Sequence, residues 1–246
     1  MKILIFGAHG FLGRNLVEQL GGKYQLITPS RQDIDLMQTA HISNEIDVVI
    51  NCVNAEDNLT VFYNITRCYS GKLIQIGSGA EYDKSKPIKN VKEEDFGRRP
   101  KDKYGLDKYF ISGFIEWMDN IICLRPFGLF GKYEDYERRF ISKAVLDNMK
   151  GEPITIYQNV KFNYVWVNDF IKIIDYFITH EPKHKIYNVG GHQLKLTEIA
   201  KKIGKYKVLK EGMANEYTCD DSRVRKETGI KYTPFDDSLE SLRRFL

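Results

Sequence analysis

Apolar residues along this chain fall into two kinds of run that take turns. The first kind is short and nearly unbroken: Ile3 to Phe6, Ile46 to Asn51, Lys72 to Ile76, Ile121 to Leu124 and Lys185 to Val189. Runs of this sort, without polar alternation, are what strands buried on both faces present. Tyr24 to Thr28 adds a further strand. The second kind repeats at spacings of three and four. It covers Leu16, Val17 and Leu20, the stretches Asn58 to Tyr69 and about 103–118, and then Arg138 to Met149 and Asp169 to Thr179. That spacing lines one face of a helix. Strand and helix alternate up to about residue 190, which predicts an α/β protein built on a doubly wound parallel sheet, the Rossmann arrangement. Residues 1–126 form the expected dinucleotide-binding core, completed by 160–190, while 127–159 and 191–246 form a small substrate-binding lobe. Within the lobe the pattern gives short strands at Ile154 to Tyr157 and Tyr164 to Val167. It also gives a helix capped by Thr197 and running to Ile203, and helices near Asp221 to Thr228 and Asp236 to Phe245.

The first strand feeds directly into Gly7-Ala8-His9-Gly10-Phe11-Leu12-Gly13, and a helix follows. A glycine-rich turn between a strand and a helix lets backbone approach a pyrophosphate. The helix start, here at Phe11 and Leu12, offers free N–H groups and a favourable dipole. The spacing is G-x-x-G-x-x-G rather than the commoner G-x-G-x-x-G. After the second strand, an acidic residue would bind the ribose hydroxyls of NAD, whereas an arginine would accommodate the extra phosphate of NADP. The chain has Thr28-Pro29-Ser30-Arg31 there and no acid before Asp33. Ser30 and Arg31 therefore point to NADP(H) over NAD(H), and Asp35 and Leu36 are candidates for the adenine slot.

The helix over 103–118 begins with Tyr104-Gly105-Leu106-Asp107-Lys108. Pro100 and the capping candidate Asp102 mark its start. Four residues apart, Tyr104 and Lys108 share one face. A free phenol titrates near pH ~10, and bringing it toward ~7 takes roughly 4 kcal/mol, part of which an adjacent ammonium can supply. The fourth strand ends in Gly77-Ser78-Gly79-Ala80-Glu81-Tyr82, small residues at the strand end where ligands bind in open α/β sheets. Ser78 is a candidate hydrogen-bond donor to a substrate oxygen.

Composition narrows the classes. At 246 residues with 42% hydrophobic content the chain can bury a large core, and a net charge of +4 suits an anionic ligand without demanding nucleic acid. Cys52, Cys68, Cys123 and Cys219 lack metal-type spacing, so a reduced, cytoplasmic protein without a metal is expected. The chain runs straight into its first strand without a charged-then-apolar leader, and no apolar run reaches membrane-spanning length. Apolar residues on more than one face of the Tyr104 helix leave room for a homodimer.

Taken in order, these motifs resemble the extended short-chain dehydrogenase/reductase family, also called the NAD-dependent epimerase/dehydratase family. The resemblance extends from Gly7, Gly10 and Gly13 through Asn51-Cys52-Val53-Asn54-Ala55, Ser78 with Tyr82, and Tyr104 with Lys108. It continues through Arg125-Pro126-Phe127-Gly128-Leu129-Phe130-Gly131, Tyr164 to Asp169, and Tyr187-Asn188-Val189-Gly190-Gly191. Locally, the turn after the second strand and Gly77-Ser78 are similar to the GDP-fucose synthases, which use NADPH. In that match Arg31 and His9 face the 2′-phosphate. The resemblance implies that Asn54, Ala55, Pro126 and Phe127 also contact the cofactor. It implies a nucleotide-diphosphate sugar as substrate, bound by Ser78, Gly79 and Ala80. Arg138, Arg139, Lys161 and Arg223 are candidate contacts to its diphosphate.

The chain also departs from the family pattern. The segment between Ala55 and Asn58 is short. Gly128 stands where an asparagine is common, and Phe162 where an arginine often reaches the diphosphate. Ala80 stands where the GDP-fucose synthases carry a second acid/base cysteine. The reading that follows is NADPH-dependent reduction of a nucleotide-linked 4-keto-6-deoxy sugar, with Ser78, Tyr104 and Lys108 as catalytic residues. An NAD-dependent 4-epimerase and a non-catalytic NADP-binding sensor are the alternatives.

Overall fold

A computed structural model of the chain describes residues 1–38 and 41–246. Six parallel strands form the central sheet: β1 (Lys2–Phe6), β2 (Gln25–Ile27), β3 (Val48–Asn51), β4 (Lys72–Ile76), β5 (Ile121–Pro126) and β6 (Ile186–Val189). Their order is β6-β5-β4-β3-β1-β2. The direction of winding reverses between β1 and β3, and in open sheets the ligand crevice lies outside the strand ends at that point.

Both faces of the sheet are covered, and β1 shows why an unbroken apolar run was needed. Successive side chains point to opposite faces. Ile3 and Ile5 pack under α1 (Phe11–Leu20) and α5 (Val167–Thr179), with Leu16, Phe170, Ile174 and Phe177. Leu4 and Phe6 face the other way, against Val61 and Ile65 of α2 (Asn58–Cys68) and Ile111 and Ile115 of α3 (Lys103–Ile115). Each such buried side chain contributes about 1.5–3 kcal/mol relative to exposure. Asp57 starts α2 by accepting the Thr60 N–H at 3.1 Å, and Asp102 starts α3 by accepting the Gly105 N–H at 2.9 Å.

Several expected boundaries move. The helix over 103–118 ends at Ile115, because the chain turns through Glu116 and reaches a left-handed residue at Asn120 (φ 59°). The helix expected from Arg138 is α4 (Phe140–Met149), with Arg139 as its extended cap residue. Thr197 is not a cap. The helix there is Leu196–Ile203, and Glu198 reaches back to the Lys195 N–H at 2.8 Å.

A second sheet was not anticipated. It joins His192–Lys195, Lys161–Trp166, Tyr217–Cys219 and Ile88–Val91, in that order, with Leu129–Phe130 pairing to Lys161–Trp166. Ile88–Val91 and Lys161–Trp166 lie in stretches assigned to the nucleotide core, yet they pair in this sheet. A parallel pair, Ile154–Asn159 with Tyr206–Met213, completes the lobe. Its core is Phe130, Ile141, Val145, Ile156, Trp166, Ile199 and Leu239.

Candidate active site

The glycine turn is tight for steric reasons. Gly7 holds φ at +79°, and the Gly10 N–H donates to its carbonyl at 3.0 Å. A Cβ at Gly13 would lie 2.1 Å from the Gly7 carbonyl oxygen and 2.5 Å from the Ala8 Cα. The third glycine thus lets α1 sit directly on the end of β1. Gly10 caps α1 with no side chain. The N–H groups of the first helical turn are therefore open to an acceptor, which fits the diphosphate of a dinucleotide.

A groove runs from this turn in two directions. One arm, a cavity of about 520 Å³, is lined by His9, Ser30, Arg31, Asp35, Leu36, Asn54 and Ala55 among others. Ser30 is turned partly inward, its hydroxyl donating to Asp33 at 2.7 Å. Arg31 is 80% exposed at its side chain, with its Nε 3.6 Å from Asp35. The other arm, about 1020 Å³, is lined by Phe11, Leu12, Ser78, Ala80, Tyr104, Pro126, Phe127, Phe162 and Tyr217, with the cations Lys84 and Arg139. Gly7, Gly10, Val53 and Asn54 belong to both arms.

At the far end of the second arm, Ser78 and Tyr104 come together. Ser78 is extended (φ −162°) and begins the short turn Gly79–Glu81, its Oγ accepting the Ala80 N–H at 3.1 Å. Helix α3 lies against this turn because Gly105 has no side chain: a Cβ there would be 2.5 Å from the Ala80 carbonyl. Tyr104, the residue before, is thereby brought to Ser78. Burial raises the phenol above its ordinary range even though 38% of the residue is exposed. The Ser78 hydroxyl and Arg139 offset part of the rise, and Glu81 adds to it.

Lys108 sits beneath, 3% exposed, its Nζ donating to the Ile76 carbonyl at 3.0 Å and 5.8 Å from the Tyr104 ring centre. Burial lowers its pKa, while the carboxylates Glu81 and Asp107 oppose that. In the protein by itself burial is the largest influence on the phenol, and it acts against the lowering expected from Lys108. Burial also pushes the Cys52 and Cys123 thiols up to about 12, so neither is a nucleophile at neutral pH.

Of the four cations expected at a diphosphate, Arg139 lines the arm. Arg138 points outward beside Asp135 (3.4 Å), Lys161 lies 3.5 Å from Glu216, and Arg223 is engaged by Glu94, by Glu93 at 3.7 Å and by the Ile186 carbonyl at 2.9 Å. None of these three lines the groove, and each has an acidic neighbour. Gly79 is buried: a Cβ there would meet the Tyr217 hydroxyl at 2.5 Å and the Phe127 ring at 2.8 Å. Lys84 and Tyr217 also line this arm, and no sequence pattern singles them out. Lys84 carried no motif, and Tyr217 arrives from a strand pairing more than a hundred residues away in sequence from Ser78. Among the described residues no group of three or more His, Cys, Asp or Glu side chains is placed to hold a metal ion, and no helix is long and apolar enough to cross a membrane.

Residues 3–190 match the family described as NAD dependent epimerase/dehydratase. Searched by sequence, no curated protein matches the chain. Solved structures match over nearly all of it. A GDP-L-fucose synthetase from Naegleria fowleri bound to NADP superposes with TM-score 0.84 at 13% identity, covering 99% of this chain and 93% of that one. The UDP-glucose 4-epimerase of Thermotoga maritima with UDP-glucose gives 0.81 at 15%, covering 100% and 98%. The dTDP-glucose 4,6-dehydratase of Bacillus anthracis in complex with NAD gives 0.79 at 17%, covering 100% and 96%. At such identities the likeness carries the fold.

Proposed function

This chain belongs to the NAD dependent epimerase/dehydratase family, and on that premise we propose that it reduces a nucleotide-linked 4-keto-6-deoxy sugar with NADPH. The observation that carries the reading is the meeting of Ser78 and Tyr104, with Lys108 beneath them, at one end of a groove whose other end holds Arg31. The glycine turn and the start of α1 hold the diphosphate, Arg31 and His9 take the 2′-phosphate, and Pro126 and Phe127 form the wall at the reactive ring. When bound, the nicotinamide supplies the hydride.

The chain's own residues manage the proton. Burial keeps the Tyr104 phenol protonated across neutral pH, the state in which it donates to the forming alkoxide. Ser78 donates to the same oxygen and orients it. Lys108 holds positive charge under the ring and reaches the nicotinamide ribose. Arg139 and Lys84 face the anionic part of the substrate. A neutral alanine at position 80 removes the second acid/base that a double epimerisation would use, which favours simple reduction.

The test is NADPH consumption across a panel of 4-keto-6-deoxy nucleotide sugars. Turnover with NADPH well above NADH is expected, and Arg31→Ala should erase roughly tenfold of that preference, the size of one charge-assisted contact. Purified protein that carries tight NAD and interconverts sugars without added coenzyme would replace this reading with the 4-epimerase. Binding of NADP with no turnover of any sugar would replace it with the sensor.

We also infer that α2 and α3 pair with a second copy of the chain. Tyr63, Phe114 and Trp117 are 58%, 54% and 91% exposed on one apolar face, around a hollow also lined by Leu59, Phe62 and Met118. Faces of this kind are rare on monomers. Light scattering should give the mass of two chains, and Trp117→Lys should give one.

A further inference from the structure

We propose that Glu81 is a positioning residue for the reaction proposed above, a role that rests on that reading: its buried carboxylate, paired with Arg125, locks together the three elements that carry the reacting groups. Glu81 and Arg125 are both 0% exposed. Oε1 of Glu81 accepts the Ser78 N–H at 2.9 Å, which sets the Ser78 turn. Oε2 accepts the Ser112 hydroxyl at 2.5 Å, and Ser112 lies one helical turn beyond Lys108 on α3. The same Oε2 is 2.6 Å from Nε of Arg125, on the strand that leads directly into Pro126 and Phe127. Arg125 in turn donates from Nη1 to the Tyr82 hydroxyl at 3.1 Å and lies 4.8 Å from the centre of the Phe96 ring. One carboxylate therefore touches the serine turn, the tyrosine–lysine helix and the strand under the nicotinamide wall.

The space for it is specific. A Cβ at Gly77 would stand 2.6 Å from Glu81 Oε1 and 2.5 Å from Cys123 Sγ. A buried ion pair is a weak source of stability, because desolvating two charges offsets most of their attraction. What this pair supplies is direction: hydrogen bonds accepted from two elements and a close charge contact to a third, where a small misplacement costs much of the rate. Its charge also acts on the pair above it. Glu81 supports the positive charge of buried Lys108 and helps keep the Tyr104 phenol protonated.

The experiment uses three variants of the full chain. Glu81→Gln keeps the shape and removes the charge. Glu81→Asp keeps the charge and shortens the reach. Glu81→Met with Arg125→Met removes the pair without stranding a buried guanidinium, and should melt within a few degrees of the unaltered protein. For folded Glu81→Gln, kcat should fall by about 10²-fold, with KM for substrate and Kd for NADPH moving much less. The fall of kcat at high pH should begin at lower pH, because both Lys108 and Tyr104 lose a neighbour that holds their protons. Glu81→Asp should restore the pH limb but not the full kcat. The double variant should lose kcat while staying folded.

A readout independent of turnover is carbon NMR of labelled tyrosine, with the Tyr104 signal identified by its loss in Tyr104→Phe. That signal should shift, and titrate earlier, in Glu81→Gln. If Glu81→Gln and the double variant fold and leave kcat, the pH profile and the Tyr104 signal unchanged, the proposal is overturned. If the unaltered protein turns over no sugar, the functional reading fails, and the Tyr104 signal still decides whether Glu81 holds the phenol in place.

Discussion

Tyr104→Phe lowers turnover by about 10²–10⁴-fold, the usual contribution of a general acid, and leaves NADPH affinity within a few-fold of the unaltered protein. The ring stays, so its place beside Ser78 and over Lys108 is kept, and the phenol oxygen alone is lost. Because burial raises the phenol, it carries its proton throughout the neutral range and is suited to give it up as the ketone oxygen gains charge. The loss should therefore appear in kcat rather than in KM, since the proton moves in the transition state and little in the ground-state complex. Steady-state kinetics and a fluorescence titration with NADPH check it. Unchanged turnover would remove Tyr104 from the chemistry and, with it, the mechanism.

Gly13→Ala is the second large effect. One methyl group at this position would lie 2.1 Å from the Gly7 carbonyl oxygen and 2.5 Å from the Ala8 Cα, both backbone atoms of the turn that meets the diphosphate. Neither can step aside as a side chain would, so α1 must lift from the end of β1 and its first N–H groups move with it. Overpacking of this kind costs typically 1–3 kcal/mol. If most of it falls on the bound state, dinucleotide affinity drops roughly 5- to 150-fold. Gly113→Ala is the matched control. It lies on α3, a Cβ there meets nothing within 4 Å, and alanine favours helix over glycine by about 1 kcal/mol. Calorimetric titration of both variants with NADP should separate them clearly, with Gly113→Ala indistinguishable from the unaltered chain.

The parts of this fold that could be read from sequence share one property: each rests on local pattern. Ile3 to Phe6 signals a strand buried on both faces. The glycine turn signals the approach of backbone to a phosphate. Tyr104 and Lys108 share a face because they are four apart on a helix. The second sheet was illegible for the opposite reason. Ile88–Val91 is four residues long with two exposed, and it pairs with Tyr217–Cys219, far along the chain. No local periodicity announces such a pairing. The cations show the same limit. Arg138, Arg139, Lys161 and Arg223 are alike as letters, and what separates them is their place in the fold: Arg139 lines the groove, while Lys161 and Arg223 lie beside Glu216, Glu93 and Glu94. Glu81 carried no signal either. A glutamate in a run of small residues reads as a solvated turn, and its burial against Arg125 follows from β4 and β5 being neighbours.

The proposed reduction requires the phenol of Tyr104, the hydroxyl of Ser78 and the ammonium of Lys108 to gather at the reactive ring of a bound dinucleotide. A crystal structure of the protein soaked with NADP tests it most directly. The adenosine end is expected between His9, Arg31 and Leu36, the diphosphate on the first turn of α1, and the nicotinamide against Phe127 with Tyr104 and Ser78 beside it. A dinucleotide lying elsewhere, or a nicotinamide out of reach of the Tyr104 hydroxyl, would contradict it.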